Sequence, residues 1–362
     1  MIHQIGLLKE SEGLRFVTLT PNGVSGLAEQ FKVFVERGAG EAIGFSDEMY
    51  EAAGATVLSS QQEVILQSDF VLSFNKSIKN DYLNRRRSFI GFYNVLNNSA
   101  VIAPFTHTIA DVYSLDLMPL SPGYNGYNLK WKITPLLYDA VVESSLAYFN
   151  QNESMLTKSK KALILESGHT SVDSVQKLIR EGFEITVVGN STFNQVEFEK
   201  LGIEYHKLSH LEMCEPNVLS RSNEEEHCLS EIALYLNNSA QLYDLIVSDF
   251  VLSGEKTPLL FQAATLQKLK KGALLIDLSA PTFGNCAEGS VSTADFQYFS
   301  LIEMLNQQAL SASEIFSETY SRFLKQFVED EDRAFQDLLD SIKVIEKGKV
   351  VNNTLIREVN EM

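Results

Sequence analysis

The residues best suited to chemistry follow the apolar run Lys161–Leu165 (KALIL). There Glu166-Ser167-Gly168-His169-Thr170-Ser171 leads into a helical pattern from Val172. A strand, a tight glycine turn and a helix together cradle phosphate. The glycines permit the turn, the close approach of a pyrophosphate and tight helix–strand packing. In a GxGxxG frame the three positions fall on Glu166, Gly168 and Ser171, so only the close-approach glycine is kept. Ser171 is small enough for tight packing. Glu166 sets a carboxylate beside the expected pyrophosphate unless it points away. Gly168, His169, Thr170 and Ser171 are the candidate dinucleotide-binding residues here, Thr170 and Ser171 as helix caps or phosphate donors. For His169 a surface place at a helix start is the commoner role.

A second position tests the same chemistry. In such a fold an acidic residue at the end of the next strand holds the ribose diol of NAD. The next strand is Glu184–Val188 (EITVV), and Gly189-Asn190-Ser191-Thr192 follows it. Asn190 is the candidate contact, and the missing acid removes one reason to prefer NAD over NADP. No arginine follows immediately to hold a 2′-phosphate. An altered cofactor site and a Rossmann-like domain kept as a scaffold both fit these residues.

The elements that must position these groups alternate along the chain. Ile2–Leu8, Lys32–Glu36 and Phe70–Phe74 read as strands, Val24–Gln30 and Phe45–Ala53 as helices, the latter with Ser46 as N-cap. Pro135–Asn150 reads as a long helix between domains. Leu242–Val247 and Ala273–Leu278 continue the strand series after Glu184–Val188, and a helix over about Leu310–Val328 follows. The polar run Ser220–His227 (SRSNEEEH) reads as an exposed loop or insertion. Strand then helix, repeated, predicts an α/β protein with parallel sheets.

Composition narrows the function classes. The 362 residues suit two domains, and 44% hydrophobic with 21% charged residues is globular composition. The net charge of -17 disfavours nucleic acid as a partner. Cys214, Cys228 and Cys286 are widely spaced and form no zinc set, so no metal is expected. The start MIHQIGLLKESEG lacks the apolar core of a signal peptide, and no run of about 18 apolar residues occurs. A cytoplasmic protein with reduced thiols is the expectation.

Longer motifs carry a family resemblance. Gly6-Leu7-Leu8-Lys9-Glu10, Arg15 and Leu19-Thr20-Pro21 resemble the GxPKE…RVALTP opening of the alanine dehydrogenase and NAD(P) transhydrogenase alpha-subunit family. Glu36-Arg37-Gly38-Ala39-Gly40, Gly44-Phe45-Ser46-Asp47, Tyr50 and Ala53-Gly54-Ala55 are similar to its EKGAG…GFSDxxYxxAGA stretch. Tyr138–Glu143 resembles the helix joining the family's domains, and Val344–Val350 its NVYxGKV close. Ile276-Asp277-Leu278-Ser279-Ala280-Pro281-Thr282-Phe283-Gly284-Asn285-Cys286 resembles VDLAAxxGGNCE, whose Gly-Asn-Cys favours the transhydrogenase branch.

The resemblance implies two Rossmann-like domains with a cleft between them. The first is discontinuous, 1–137 plus 310–362, and the dinucleotide domain is 138–309. It implies a substrate-carboxylate contact at Arg15 and a substrate-carbonyl contact at Lys76, and adds Ser279 and Asn285 to the cofactor side. For one such cation alone a surface ion pair is the commoner role. The histidine of alanine dehydrogenases is missing near Phe92-Tyr93-Asn94-Val95, with Asn94 as nearest polar substitute, and their catalytic aspartate falls at Pro281. An amide cannot exchange a proton as imidazole does, so no catalytic residue is assigned.

The implied function is an NAD(P)-linked oxidoreductase, most like a soluble transhydrogenase alpha subunit with membrane-bound partner subunits, NAD or NADP as cofactor, and a homo-oligomeric state. The alternatives are a divergent amino-acid or imine dehydrogenase acting on a small carboxylate, and a non-catalytic binding or scaffold protein.

Overall fold

A computed structural model describes residues 3–76, 78, 83, 85–119, 124, 126–152, 160–166, 172–189, 191–208, 223–251, 257–279, 284–286, 295–329, 333–353 and 355–356. The chain divides into two compact units, 1–133 with 308–362, and 134–307.

Unit 1 begins with β1 (His3–Leu7), α1 (Pro21–Leu27), β2 (Phe31–Glu36), α2 (Asp47–Ala52), β3 (Thr56–Leu58), α3 (Gln61–Gln67), β4 (Phe70–Leu72), β5 (Ser88–Gly91) and β6 (Asp111–Ser114). The helix expected at Val24–Gln30 starts earlier, because Pro21 suits a first turn and Thr20 caps it, accepting from Gly23 N at 3.2 Å. Ser46 caps α2 as expected, accepting from Met49 N. Gly6 lets α3 lie directly on β1, since a Cβ there would strike the Ser68 hydroxyl and Val64.

α4 (Leu129–Gln151) carries the chain onward. It starts before the expected Pro135, which sits inside it. Unit 2 then contains β7 (Lys160–Glu166), α5 (Val172–Arg180), β8 (Phe183–Gly189), α6 (Thr192–Lys200), β9 (Glu204–Lys207), α7 (Asn223–Ser239), β10 (Leu245–Asp249), α8 (Ala263–Leu266), β11 (Leu274–Asp277), β12 (Gln297–Ser300) and α9 (Leu301–Gln307). Two expectations are corrected here. The strand expected at Leu242–Val247 begins at Leu245, because Ala240–Leu242 forms a 3-10 turn. Asn223–His227, expected in an exposed loop or insertion, opens α7.

The chain returns to unit 1 with α10 (Ala309–Glu329), α11 (Arg333–Ile342), β13 (Lys343–Glu346) and β14 (Lys349–Val350). Two hydroxyls on α10 fasten it to the N-terminal segment: Val17 N donates to Ser313 Oγ at 2.9 Å and Thr20 N to Ser317 Oγ at 3.1 Å. Small side chains make that approach possible, as a Cβ on Gly23 would strike Ser317.

Among the described residues each unit has one sheet. In unit 2 the order is β9-β8-β7-β10-β11-β12, every pair parallel. This third-second-first-fourth-fifth-sixth arrangement is the doubly wound dinucleotide order. In unit 1 the order is β3-β2-β1-β4-β5-β6-β13-β14; the first six are parallel and β13 runs antiparallel to its neighbours. Buried apolar strands form both cores: Val71, Phe89 and Val112 in unit 1, and Leu163, Val188, Ile246 and Leu275 in unit 2. In such sheets ligands bind outside the carboxyl ends of the strands where the winding reverses. Those points are β1/β4 in unit 1 and β7/β10 in unit 2. Among the described residues no helix is long and apolar enough to cross a membrane.

Candidate functional site

The β1/β4 reversal gathers charged groups from three strand ends. Lys9 and Glu10 follow β1, Lys76 follows β4, and Glu36 ends β2. Lys76 Nζ donates to Glu36 Oε2 at 3.1 Å and to the Lys9 carbonyl, and Lys9 N donates to the same Glu36 oxygen at 2.8 Å. The Lys76 and Glu36 side chains are each 15% exposed, so the pair is only partly screened. Lys76 therefore stands at the mouth of the crevice with its ammonium held by a carboxylate. Arg15 lies exposed on the connection that leaves the same sheet edge, just before buried Phe16.

Behind Lys76 lies a buried polar cluster. Glu10 Oε1 accepts from Phe74 N at 2.7 Å, while Glu10 Oε2 has no hydrogen-bond partner among the described residues. The hydroxyls of Ser73 and Tyr93 are buried there against each other. Gly91 makes room for the Tyr93 ring, which would meet a Cβ there at 2.6 Å. Tyr320 reaches in from α10 and donates to the Ser73 carbonyl at 3.2 Å. Burial pushes the Glu10 carboxyl up to about 8, against the opposing pull of the Phe74 amide and the Lys76 charge. Asp116 is raised by burial too, although Ser114 Oγ and Asn94 N donate to it.

Asn94, the polar residue nearest the place of the absent histidine, serves a turn. Its backbone is left-handed (φ 52°), and its Oδ1 accepts from Asn97 Nδ2 at 2.8 Å.

In unit 2 the polar residues at the strand ends bind one another. Asp277, at the end of β11, accepts from Ser279 N at 3.0 Å, from Ser279 Oγ at 2.5 Å and from Cys286 N at 3.1 Å. Asn285 is wholly buried; its Nδ2 donates to the Phe250 and Pro258 carbonyls at 3.0 and 2.8 Å, and its Oδ1 accepts from Ser248 Oγ at 2.6 Å. Ser279 Oγ also accepts from Asn285 N at 2.9 Å. Ser279 and Asn285 are thus brought together, each engaged with protein. Burial, then the Asp277 charge, pushes the Cys286 thiol far up, so it is no thiolate nucleophile.

Glu166, the residue in the first glycine position, is wholly buried at the end of β7 and points away along the sheet. Its Oε1 accepts from Tyr205 OH at 2.6 Å and its Oε2 from Asn194 Nδ2 at 3.0 Å. Gly189, paired with Glu166 across the β7–β8 register, admits this carboxyl, because a Cβ there would strike both Glu166 and the Tyr205 hydroxyl. Gly168, His169, Thr170, Ser171, Asn190 and Pro281 lie outside the described residues.

Sequence reasoning missed Glu10, Glu36, Ser73, Tyr93, Asn194 and Tyr205. Glu10 and Glu36 were within reach, since both sit in the quoted motifs beside strand ends. The others come together only through the sheet order. A separate open cavity of about 700 Å³ in unit 2 is lined by α4, β12 and α9 residues, including Glu143, Tyr148 and Gln297, and by none of the sequence-predicted site residues. Among the described residues no three His, Cys, Asp or Glu side chains could hold a metal ion.

These strand orders and strand-end groups define a two-unit, doubly wound α/β protein of the dinucleotide-binding architecture. The chain belongs to the alanine dehydrogenase/PNT family: the family's N-terminal domain matches residues 6–126 and its C-terminal domain residues 154–358. It is 23% identical to the first portion of the NAD(P) transhydrogenase alpha subunit of Rickettsia prowazekii (strain Madrid E), covering 95% of this chain and 94% of that protein. It is 22% identical to the alanine dehydrogenase of Mycobacterium tuberculosis (strain ATCC 25618 / H37Rv), covering 80% and 76%. Its fold matches the transhydrogenase from Sinorhizobium meliloti (TM-score 0.71, 17% identity, 97% of this chain and 99% of that one). It also matches an L-alanine dehydrogenase (TM-score 0.73, 14% identity, 99% of both chains). The fold and family expected from the motifs are both found.

Proposed function

We propose that the protein is a nicotinamide-linked oxidoreductase working as a transhydrogenase alpha subunit, with unit 2 holding NAD or NADP along the carboxyl ends of its strands. The observation that carries this reading is the complete, all-parallel β9-β8-β7-β10-β11-β12 sheet. That order creates a crevice between β7 and β10 suited to a dinucleotide. The donor chemistry fits as well: Glu166 turns inward, which takes its carboxyl away from the pyrophosphate position.

When bound, the nicotinamide would supply hydride chemistry. The chain's role is to bind and orient it. In this reading Gly168, His169, Thr170 and Ser171 contact the pyrophosphate, and Asn190 the ribose. Ser279 and Asn285 act as positioning residues that fix the shape of the β10 and β11 ends. The proposed partners are membrane-bound transhydrogenase subunits and further copies of this chain, in the cytoplasm.

Lys76 at the β1/β4 reversal supports a second reading, an amino-acid or imine dehydrogenase in which Lys76 and Arg15 hold a small carboxylate substrate. Calorimetric titration with NAD, NADH, NADP and NADPH tests both. Binding is expected for at least one redox pair, and binding by none of the four overturns both in favour of a scaffold. A fall in NADH or NADPH absorbance on adding a 2-oxo acid and ammonium would select the second reading.

A further inference from the structure

We propose that the β1/β4 crevice of unit 1 takes up a small carboxylate together with a proton, and that Glu10 holds the proton. This rests on the second reading above, in which Lys76 meets a carboxylate, and it adds what that event does to the charge of the site.

Sheet order brings one ammonium and two carboxyls together. Glu36 ends β2, Glu10 follows β1 and Lys76 follows β4, and these strands lie side by side. Lys76 Nζ donates to Glu36 Oε2 at 3.1 Å and to the Lys9 carbonyl. An ammonium has three N–H groups, so among the described residues one remains for a ligand. The Lys9 side chain is turned to another carboxylate, with its Nζ 3.7 Å from Glu41.

Glu10 is the second carboxyl that the Lys76 charge reaches. It is anchored through one oxygen: Phe74 N, two residues before Lys76, donates to its Oε1 at 2.7 Å. Its Oε2 is buried with no partner among the described residues. An ionised oxygen so placed has lost its hydration without replacement, and a proton removes most of that cost. Burial accordingly lifts the carboxyl to about 8, with the Phe74 amide and the Lys76 charge opposing and Glu36 reinforcing.

The groups that face Glu10 from other elements do not compete for this role. Tyr93 after β5 and Tyr320 on α10 are raised by burial above their ordinary value and stay neutral. Asp116 after β6 is raised by burial too, but Ser114 Oγ and Asn94 N both donate to it. Glu10 is the carboxyl of this cluster with an open oxygen.

While Glu10 is neutral, Lys76 and Glu36 balance each other. An arriving carboxylate adds a negative charge, which an ionised Glu10 would oppose. The ligand therefore raises Glu10 further and fixes its proton. Below the free value that proton is already present and affinity is complete. Above it each ligand must bring a proton, so affinity falls as pH rises. Glu10 acts through the charge balance at Lys76 and is a positioning residue.

The test is calorimetric titration of the full chain with pyruvate, with and without saturating NADH and with ammonium absent. It spans about pH 6 to 9.5 in buffers of different ionisation enthalpy. Affinity should be level below about pH 8 and fall by up to about tenfold per pH unit above it. Near pH 9, between about half and one proton should be taken up per pyruvate bound. Glu10→Gln, which keeps the shape of the neutral acid, should bind pyruvate without proton uptake and without the alkaline fall. Matching thermal unfolding at pH 6 would show that the variant is folded, and the parent chain's own proton uptake decides the matter if it is not. Pyruvate binding without proton uptake at pH 9, or uptake that survives in Glu10→Gln, overturns the inference and leaves the carboxylate reading standing. No pyruvate binding at any pH overturns both.

Discussion

The two units wind their first six strands in the same order yet treat the strand ends in opposite ways. At the β1/β4 reversal of unit 1, buried groups keep hydrogen-bonding capacity to spare: among the described residues Glu10 Oε2 has no partner, and the Ser73 and Tyr93 hydroxyls have only each other. At the strand ends of unit 2, Asp277, Asn285 and Glu166 are each engaged by two or more neighbours. A closed network fixes the shape of a crevice. An open one leaves polar atoms available to water, to a proton or to a bound anion. The same architecture thus supports a closed polar network at the strand ends of one unit and a titratable buried cluster in the other.

The sharpest way to break this comparison is Asp277→Ala. It strands the amides of Ser279 and Cys286 in a buried site and should cost about 3 kcal/mol or more. Chemical denaturation would measure it, and a loss below about 1 kcal/mol would mean that the network is not closed.

Unit 1 should respond to pH instead. The Glu10 carboxyl titrates near 8 when folded and near 4.5 when unfolded, so the folded state holds the extra proton between those values. Its contribution is fully present below the unfolded value and is lost as pH rises through the folded one. Glu10→Gln should flatten the decline in stability between pH 5 and 9 and gain most over the parent protein at the alkaline end. Parallel pH profiles for the two proteins would remove Glu10 from this role.

Smaller effects test the contact between β8 and its neighbours. Gly189→Ala drives a methyl into Glu166 and Tyr205 and should cost about 1–3 kcal/mol. Tyr205→Phe removes the bridge between Glu166 and Ser191 N and should cost a similar amount. The matching change in unit 1, Tyr93→Phe, removes a buried hydroxyl whose desolvation no strong bond repays and should leave stability unchanged or higher by up to about 1 kcal/mol. Similar losses for the two tyrosines would erase the contrast between the units.

Much of this architecture was legible in the chain. Within KALIL and EITVV the stretches after Lys161 and Glu184 are almost wholly apolar, because strands buried on both faces have no polar side to show. Ser46 and Thr20-Pro21 announce helix starts through local hydrogen bonding. Edge elements were harder. β9 (EYHK) and β12 (QYFS) are polar, since an edge strand buries little, and neither gives a strand signal. The site was legible only where chemistry is local. The missing glycine at Glu166 could be seen, but its partners Tyr205 and Asn194 could not, because sheet order rather than spacing brings them together. Lys76 was placed by motif, whereas its carboxylate partner Glu36 emerges only when β1, β2 and β4 lie side by side.

The hydroxyls that fasten α10 to the N-terminal segment have a consequence for biosynthesis. Val17 and Thr20 find Ser313 and Ser317 across 296 and 297 residues. During translation the first strands of unit 1 leave the ribosome long before the helix that completes them. Unit 2 is synthesised whole in that interval and is free to fold first. The amino-terminal third must wait with apolar surface uncovered, which makes it the segment where nascent chains call for a chaperone. Ribosome-stalled chains ending before Ala309 should accordingly show a protease-resistant unit 2 and a protease-sensitive amino-terminal portion.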